Sequence, residues 1–384
     1  MKLLWRRIPA PQCLPFAHGS LYHARWSSNS TCDPLRILFC GSDDFSVVSL
    51  KAVHKEFIER PDTIASIDVV CRPSKRTGRG FKKLREGPIK GVAKELALPV
   101  HEIDTFTGWN PPLRGNAAIN LIIAVSFGLF VPRRLLNAAE YGGLNVHPSR
   151  LPDFRGPAPL HHTLLANRSK TGITLQSLHP TSFDDGIILA QTPYPGFDIP
   201  NLETTTVQEL QSFLAPKGAE MLVQGLRDRV FVPPLSDVGW WSNAQLNGQV
   251  PETRYAPKIT SGDRHIDWSS FTASQILRRQ RILGPLWTMA TSLSGRKRVI
   301  MTLATRPVLE NASVGETGLP FLWLSSGMEM PFLVVRTKDR QLLRIVRMTV
   351  EGERSEDAVK AAMGAKLLKE GVDGQLVTFH EVLR

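Results

Sequence analysis

The stretch GGLNVHPSRLPDFRGPAPLHH, residues 142–162, decides how the chain is read. It opens as a short apolar strand and breaks into a turn rich in Pro and Gly that carries Asn145, His147, Arg150 and Arg155. Successive side chains of a strand alternate faces, so Asn145 and His147, two apart, point the same way. Pro148 has no N–H for a central ladder and should end the strand directly after the histidine. An amide and an imidazole then stand side by side at a strand's carboxyl end, where open parallel sheets bind their ligands.

Upstream, residues 35–40, LRILFC, enter the turn Gly41-Ser42-Asp43-Asp44 and a helical pattern through Phe45, Val48 and Ala52. Strand, glycine turn and helix open a Rossmann-like sheet. A dinucleotide fingerprint needs three spaced glycines, and this turn has one, which argues against an NAD site. Residues 64–70 read as a second strand and 90–98 as a helix. The run AAINLIIAVS, residues 117–126, has the unbroken apolar character of a strand buried on both faces, so the sheet should be mostly parallel and covered by helices.

Between the second strand and that helix lies RPSKRTGRGFKKLREGPIK, residues 72–90, with eight Lys or Arg against the single Glu86. Its glycines and prolines predict a mobile loop, either merely solvated or poised for a phosphate backbone. Residues 173–178 and 187–192 read as strands flanking the polar loop HPTSFDDG, which delivers Asp184 and Asp185. Paired aspartates before a glycine are commonly turn formers, so their pattern alone leaves structure and chemistry both open. Residues 207–226 read as a helix that Pro216 should kink or split.

Residues 227–255, with Pro233-Pro234, Trp240-Trp241 and Asn247-Gly248, show no sustained period and read as a surface linker. From 256 onward short β-branched and aromatic runs at 299–303, 321–324, 332–335 and 342–348 suggest a small OB-like β-barrel. Helices are expected at 273–283 and 356–370. Arg278, Arg279 and Arg281 lie close together on the first of these, which predicts a basic face. The expected organisation is therefore a segment 1–33, an α/β domain 34–226, the linker 227–255 and a β domain 256–384.

At 384 residues the chain exceeds one ordinary core, and at roughly 150 residues per domain two domains plus extras are expected. An apolar share of 42% and a charged share of 21% are those of a globular protein. No uncharged apolar run reaches the length of about 18 residues that a membrane span requires, so no membrane partner is expected. Cys13, Cys32, Cys40 and Cys71 are scattered without a CxxC pair, against a disulfide framework or structural zinc. A net charge of +12 and a pI near 9.8 make nucleic acid the first partner to consider. Residues 1–32 carry Lys2, Arg6, Arg7 and Arg25, several serines and no Asp or Glu. That is the composition of a mitochondrial transit peptide, and Pro9, Pro11 and Pro15 interrupt the apolar core a secretory signal would need.

An imidazole and an amide facing one cleft permit several chemistries. Metal binding would want further ligands, whereas the adjacent His161 and His162 on a helix face different ways. Serine catalysis would want a GxSxG elbow, which is absent. Addition to a carbonyl remains: Asn and His donate to a developing oxyanion while a carboxylate orients the His and relays protons.

The ordered set GSDDF, RPxxxxGRG, PIK, SFG, LNVHPSRLPDFRGPAPL, SFDDG, YAPKIT and IDW resembles the methionyl-tRNA formyltransferases of the folate-dependent formyltransferase superfamily, in their mitochondrial form. The likeness covers nearly all of the chain after the transit segment. It implies transfer of the formyl group of 10-formyltetrahydrofolate to initiator methionyl-tRNA by a monomer in the mitochondrial matrix, without a metal. Asn145, His147 and Asp184 match the family's catalytic residues. Phe127, Gly128 and Leu129 match a segment that holds the pterin, and Ser149, Leu151, Pro152 and Asp185 fall on the same folate side. Ser42, Asp43 and Phe45 match the aminoacyl side, with Lys258 of YAPKIT. Arg72, Lys75, Arg76, Arg79, Lys82 and Lys83 match an inserted loop that meets the tRNA acceptor arm. Asp43 stands where the family commonly has proline, and Arg150 where it has an apolar residue. A formyltransferase for a small amine such as a sugar nucleotide, or a formyl-folate hydrolase, would need neither the basic loop nor a basic second domain. A non-catalytic RNA-binding protein would have no reason to keep all three polar residues.

Overall fold

The computed structural model describes residues 32–77, 80, 82–239, 253–292, 295–304, 315–323, 331–370, 377–379 and 381–382. Residues 1–33, read from composition as a transit segment, lie outside them apart from Cys32 and Asp33, as do Trp240-Trp241 and Asn247-Gly248 of the linker.

The first domain is a twisted sheet whose strands are β1 (Leu35–Gly41), β2 (Ile64–Cys71), β5 (Val100–Glu102), β6 (Leu121–Val125), β7 (Gly143–His147), β9 (Thr174–Ser177) and β10 (Ile188–Gln191). Their order is β10-β9-β7-β6-β1-β2-β5. The five strands from β7 to β5 are parallel, and β9 and β10 add on antiparallel. Every residue of β6 is buried, as its continuous apolar run requires. Helices α1 (Asp44–Glu59), α2 (Pro88–Glu95), α3 (Arg133–Ala138), α4 (Pro159–Leu165) and α5 (Val207–Arg227) pack around this sheet.

Two expectations change here. The basic stretch is no simple loop: β3 (Lys75–Thr77) pairs antiparallel with β4 (Lys83–Arg85), so the cations ride on a two-stranded arm. A hairpin pairs its backbone regardless of side-chain charge, and alternation lets the cations diverge to both faces. Nor does Pro216 split α5, which runs unbroken through it. Pro216 is on the exposed side while Leu210, Leu214, Ala215, Gly218 and Leu222 are buried, so tertiary packing outweighs the lost hydrogen bond. At its start, Thr206 and Glu209 form a reciprocal capping box. A short pair, β8 (Lys170–Thr171) with β11 (Phe197–Asp198), completes this domain.

The second domain is built on an antiparallel sheet of β12 (Leu286–Ser292), β13 (Gly295–Leu303), β14 (Phe321–Trp323), β15 (Phe332–Arg336) and β16 (Leu342–Val350), hydrogen-bonded in the order β14-β15-β16-β13-β12. Helices α6 (Ala273–Leu283) and α7 (Ala358–Gly364) accompany it, the latter much shorter than the expected 356–370. Two of the arginines expected to form a basic face on α6 are engaged by carbonyls. Arg279 donates to the Asp263 carbonyl and lies over the Phe271 ring, and Arg281 reaches across to the carbonyls of Leu202 and Glu203 in the first domain. Guanidinium forks satisfy several carbonyls at once, so Arg281 ties the two domains together while Arg279 braces its own, and both stay half-exposed. Among the described residues no helix is long and apolar enough to cross a membrane.

The junction matters because it touches the turn after β7. Phe154 N–H donates to the Arg254 carbonyl at 2.7 Å, Ala256 N–H to Arg155 at 2.7 Å, and Ala158 N–H to Ala256 at 3.1 Å. Gly156 sits at φ +124, and a Cβ there would stand 2.6 Å from the Ala256 carbonyl oxygen. Only glycine lets the two backbones approach this closely.

Candidate active site

Strand β7 lies between β6 and β9, with Ala124 and Gln176 flanking Asn145 and Thr174 opposite His147. His147 is buried, 5% exposed, at the floor of a cleft of about 530 Å³ that Asn145, Gln176 and Asp184 also line. Asp184 arrives from the loop after β9 with φ +51, a left-handed conformation that Asp tolerates better than most residues. Its neighbour Gly186 passes so close to β9 that a Cβ would fall 1.7 Å from the Ser177 carbonyl oxygen. The glycine of SFDDG therefore lets the loop fold back and deliver the carboxylate.

The carboxylate is surrounded by donors. Gly156 N–H donates to Asp184 Oδ2 at 3.1 Å, Gln176 Nε2 donates to Oδ1 at 3.1 Å, and His147 Nδ1 stands 3.4 Å from Oδ1. The other ring nitrogen, Nε2, meets the Phe154 carbonyl at 3.1 Å. A carbonyl only accepts, so that contact puts a proton on Nε2 and turns Nδ1 toward the carboxylate and the cleft. Asn145 Nδ2 donates to the Ala124 carbonyl at 3.0 Å, and its Oδ1 accepts from Gln176 Nε2 at 3.0 Å. One amide N–H of Asn145 is left for the cleft. On the opposite wall burial, with His162 and Arg264 adding to it, holds His161 below the ordinary imidazole value.

A substrate carbonyl in this cleft would meet an amide N–H and an imidazole on one side, with a carboxylate in proton-transfer range of the imidazole. That set can bind an oxyanion and move a proton. Among the described residues, no three His, Cys, Asp or Glu converge to hold a metal ion.

The formyl transferase family model matches residues 35–226, the domain that holds this cleft. Mitochondrial methionyl-tRNA formyltransferase of Saccharomyces cerevisiae is 30% identical over 88% of this chain and 92% of its own length. The chain belongs to the methionyl-tRNA formyltransferase family. The Homo sapiens mitochondrial enzyme is 34% identical over 74% of this chain and 66% of its own length. A solved sugar 3N-formyl transferase aligns with a TM-score of 0.47 at 13% identity, covering 83% of this chain and 99% of that one.

In this formyltransferase, Asn145, His147, Asp184, Phe127, Gly128 and Leu129 all line one cleft. Phe127 is buried against Phe106, and Gly128 turns at φ +74. Three residues assigned to the folate side lie elsewhere: Ser149 and Leu151 are buried beneath the turn, and Pro152 follows a cis bond away from the lining. Ser149 spends its hydroxyl on the Asp153 carbonyl at 2.7 Å. Asp185 points outward to Arg155 at 2.7 Å, which separates its part from that of Asp184.

On the assigned aminoacyl side, Ser42 Oγ donates to the Phe127 carbonyl at 3.2 Å, bracing the cleft wall from behind. Asp43 caps α1 through Ser46 N–H at 3.1 Å, and burial pushes its carboxyl above the ordinary value. Phe45 is 1% exposed, packed in the core against Gly218 of α5 and away from the cleft. Lys258 is exposed beyond the junction. Arg72 is held by Asp104 at 2.8 Å, whereas Lys75, Arg76 and Lys82 stand exposed on the arm. Lys83 belongs to β4, and Arg79 lies outside the described residues. Arg150 turns away from the cleft, donating to the Thr192 carbonyl at 3.1 Å and lying over the Tyr194 ring.

Sequence reading did not single out Gln176 or Tyr255. Gln176 is 1% exposed and touches both Asn145 and Asp184, while Tyr255 sits at the cleft mouth beside Gly156. A glutamine inside the apolar strand ITLQS was the available signal, because a buried amide needs partners.

Proposed function

We propose that this enzyme transfers the formyl group of 10-formyltetrahydrofolate to the α-amine of methionyl-tRNA, supplying formylmethionyl-tRNA for translation initiation in the mitochondrial matrix. The observation that carries the reading is Asn145, His147 and Asp184 gathered on one cleft, in a chain that aligns with 92% of a mitochondrial methionyl-tRNA formyltransferase.

In this reading the neutral amine attacks the formyl carbon, and the carbonyl oxygen takes up the electron pair. The cleft-facing N–H of Asn145 and the imidazole of His147 stabilise that oxyanion. Loss of one such donor costs about 3 kcal/mol in oxyanion holes. Asp184 holds His147 and, through a water, takes the proton that the amine sheds and returns one to N10 as the C–N bond breaks and tetrahydrofolate leaves. The wall at Phe127, Gly128 and Leu129 receives the pterin. The arm bearing Lys75, Arg76 and Lys82, followed by the C-terminal domain from residue 256, binds the acceptor stem. Residues 1–33 direct import, and a reporter that lacks them should stay in the cytosol; its import would remove this assignment.

The decisive experiment offers labelled 10-formyltetrahydrofolate to the purified enzyme with methionyl-tRNA, with free methionine, or with no acceptor. Transfer to methionyl-tRNA alone is expected. Release of formate without acceptor, or equal transfer to free methionine, would replace the reading with a hydrolase or a small-amine enzyme.

A further inference from the structure

An oxyanion hole works only if Asn145 turns its N–H, and not its Oδ1, toward the substrate. The two ends of an amide have nearly the same shape, so packing cannot choose between them and hydrogen bonds must. The choice here traces back to backbone groups whose polarity is fixed. Gly186 N–H, which can only donate, reaches Gln176 Oε1 at 3.2 Å. That leaves Gln176 Nε2 as the end facing Asn145 Oδ1, 3.0 Å away. With Oδ1 so occupied, Asn145 Nδ2 falls on the Ala124 carbonyl at 3.0 Å, which can only accept. Both ends of the relay enforce the same direction, and its product is an N–H aimed into the cleft.

We infer that Gln176 is a positioning residue of the reaction, which sets the amide polarity of Asn145 and, with the second hydrogen of Nε2, ties it to Asp184. The relay is built for that part. Gln176 is 1% exposed and sits directly across the β7–β9 ladder from Asn145. Nε2 has two hydrogens and two acceptors, Asn145 Oδ1 at 3.0 Å and Asp184 Oδ1 at 3.1 Å, so its donor capacity is filled. Gly186 supplies the anchoring N–H because, without a Cβ, it can lie against the Ser177 carbonyl. A glutamate at 176 would keep the shape but could not donate, and would call for the opposite polarity along the relay.

The inference rests on Asn145 as an oxyanion donor, and the experiment separates the two. Single-turnover formylation would be measured for the wild type, Gln176→Met, Asn145→Ala and the double variant, with melting temperature recorded for each. Gln176→Met conserves volume and removes every hydrogen bond. It should lower the rate by on the order of 10²–10³, as loss of one oxyanion donor does, with KM for the folate within about threefold because the pterin wall is untouched. If Gln176 acts through Asn145, its substitution should cost at least about tenfold less in the Asn145→Ala background than in the wild type. Multiplicative losses in the double variant, or a Gln176→Met enzyme within twofold of wild type, would overturn the positioning role. A fully active Asn145→Ala would instead overturn the reaction reading itself. If the variants fail to fold, side-chain amide exchange in the wild-type protein decides. Both Gln176 amide protons should be protected from solvent, and rapid exchange of either would refute the relay.

Discussion

His147 Nε2 and the backbone carbonyl of Phe154 are joined across the turn after β7 by a 3.1 Å hydrogen bond. Phe154 itself stands at φ +56, and its N–H is held by the carbonyl of Arg254 near the end of the linker. The imidazole is thus oriented by a peptide that the end of the linker pins in place.

Replacing His147 by alanine removes one of the two groups proposed to hold the oxyanion and leaves the Phe154 carbonyl without its donor. Formylation should fall by about 10²–10³, the usual cost of losing one oxyanion donor. Stability should fall by only about 1–3 kcal/mol, the cost of one unsatisfied buried acceptor. Turnover and thermal melts on the same preparation check both numbers. Near-normal turnover would remove His147 from the chemistry.

Gly156→Ala tests the junction between the domains. The new methyl would meet the Ala256 carbonyl at 2.6 Å while the backbone is held at φ +124. Either the junction opens or the turn shifts, and overpacking of this kind costs about 1–3 kcal/mol. Because Gly156 N–H also holds Asp184 Oδ2, the rate should drop more steeply than the melting temperature, by at least about tenfold. A variant with lowered stability and unchanged kcat would show that the turn does not position Asp184.

What the sequence disclosed followed from how local each signal is. Asn145 and His147 were legible because strand alternation fixes their common face from the chain itself. From its own residues Asp184 was legible only as a loop carboxylate, and the family resemblance alone grouped it with Asn145 and His147, because its donors Gly156 and Gln176 come from separate segments. Gln176 escaped since its meaning lies in a cross-strand register that no spacing encodes. Composition misled twice. The glycines and prolines of residues 72–90 suggested a loop where backbone pairing makes an arm, and Arg279 and Arg281 suggested a free basic face where carbonyl acceptors engage them. Composition counts charges and cannot say which ones carbonyls have claimed.

A pH dependence follows from Glu56. Its side chain is buried and gripped by two guanidinium nitrogens of Arg227, Nε and Nη2, at 3.0 and 2.6 Å, with Arg60 at 3.2 Å. The Arg227 hydrogen bonds hold its carboxyl below the ordinary 4.5. A depressed folded value stabilises the protein above the unfolded one, and that contribution disappears as pH falls through the folded value. Arg227→Ala should cost about 2 kcal/mol at neutral pH, below the 3–5 of a fully buried pair because Arg60 remains and Arg227 is partly exposed. Melts of wild type and variant should converge as pH drops below about 4.5, where an unfolded carboxyl also protonates. A gap that stays constant to pH 3 would assign the effect to packing.

The basic arm makes the most direct test of the acceptor. Lys75, Arg76 and Lys82 are exposed and lie outside the catalytic cleft, so changing all three to glutamine leaves the reaction centre intact. Each phosphate contact with a nucleic acid adds about −0.7 to −0.9 to the slope of log affinity against log salt, through counterion release. If all three touch phosphate, the slope for tRNA binding should flatten by about two to three units. KM for methionyl-tRNA should rise and KM for the folate should not. At saturating tRNA kcat should return to near the wild-type value, since the arm adds binding and no chemistry. Titrations across a salt series separate two possibilities that net charge cannot. An unchanged slope with unchanged KM would make the arm a solvated ribbon and leave the C-terminal domain as the bearer of the tRNA contact.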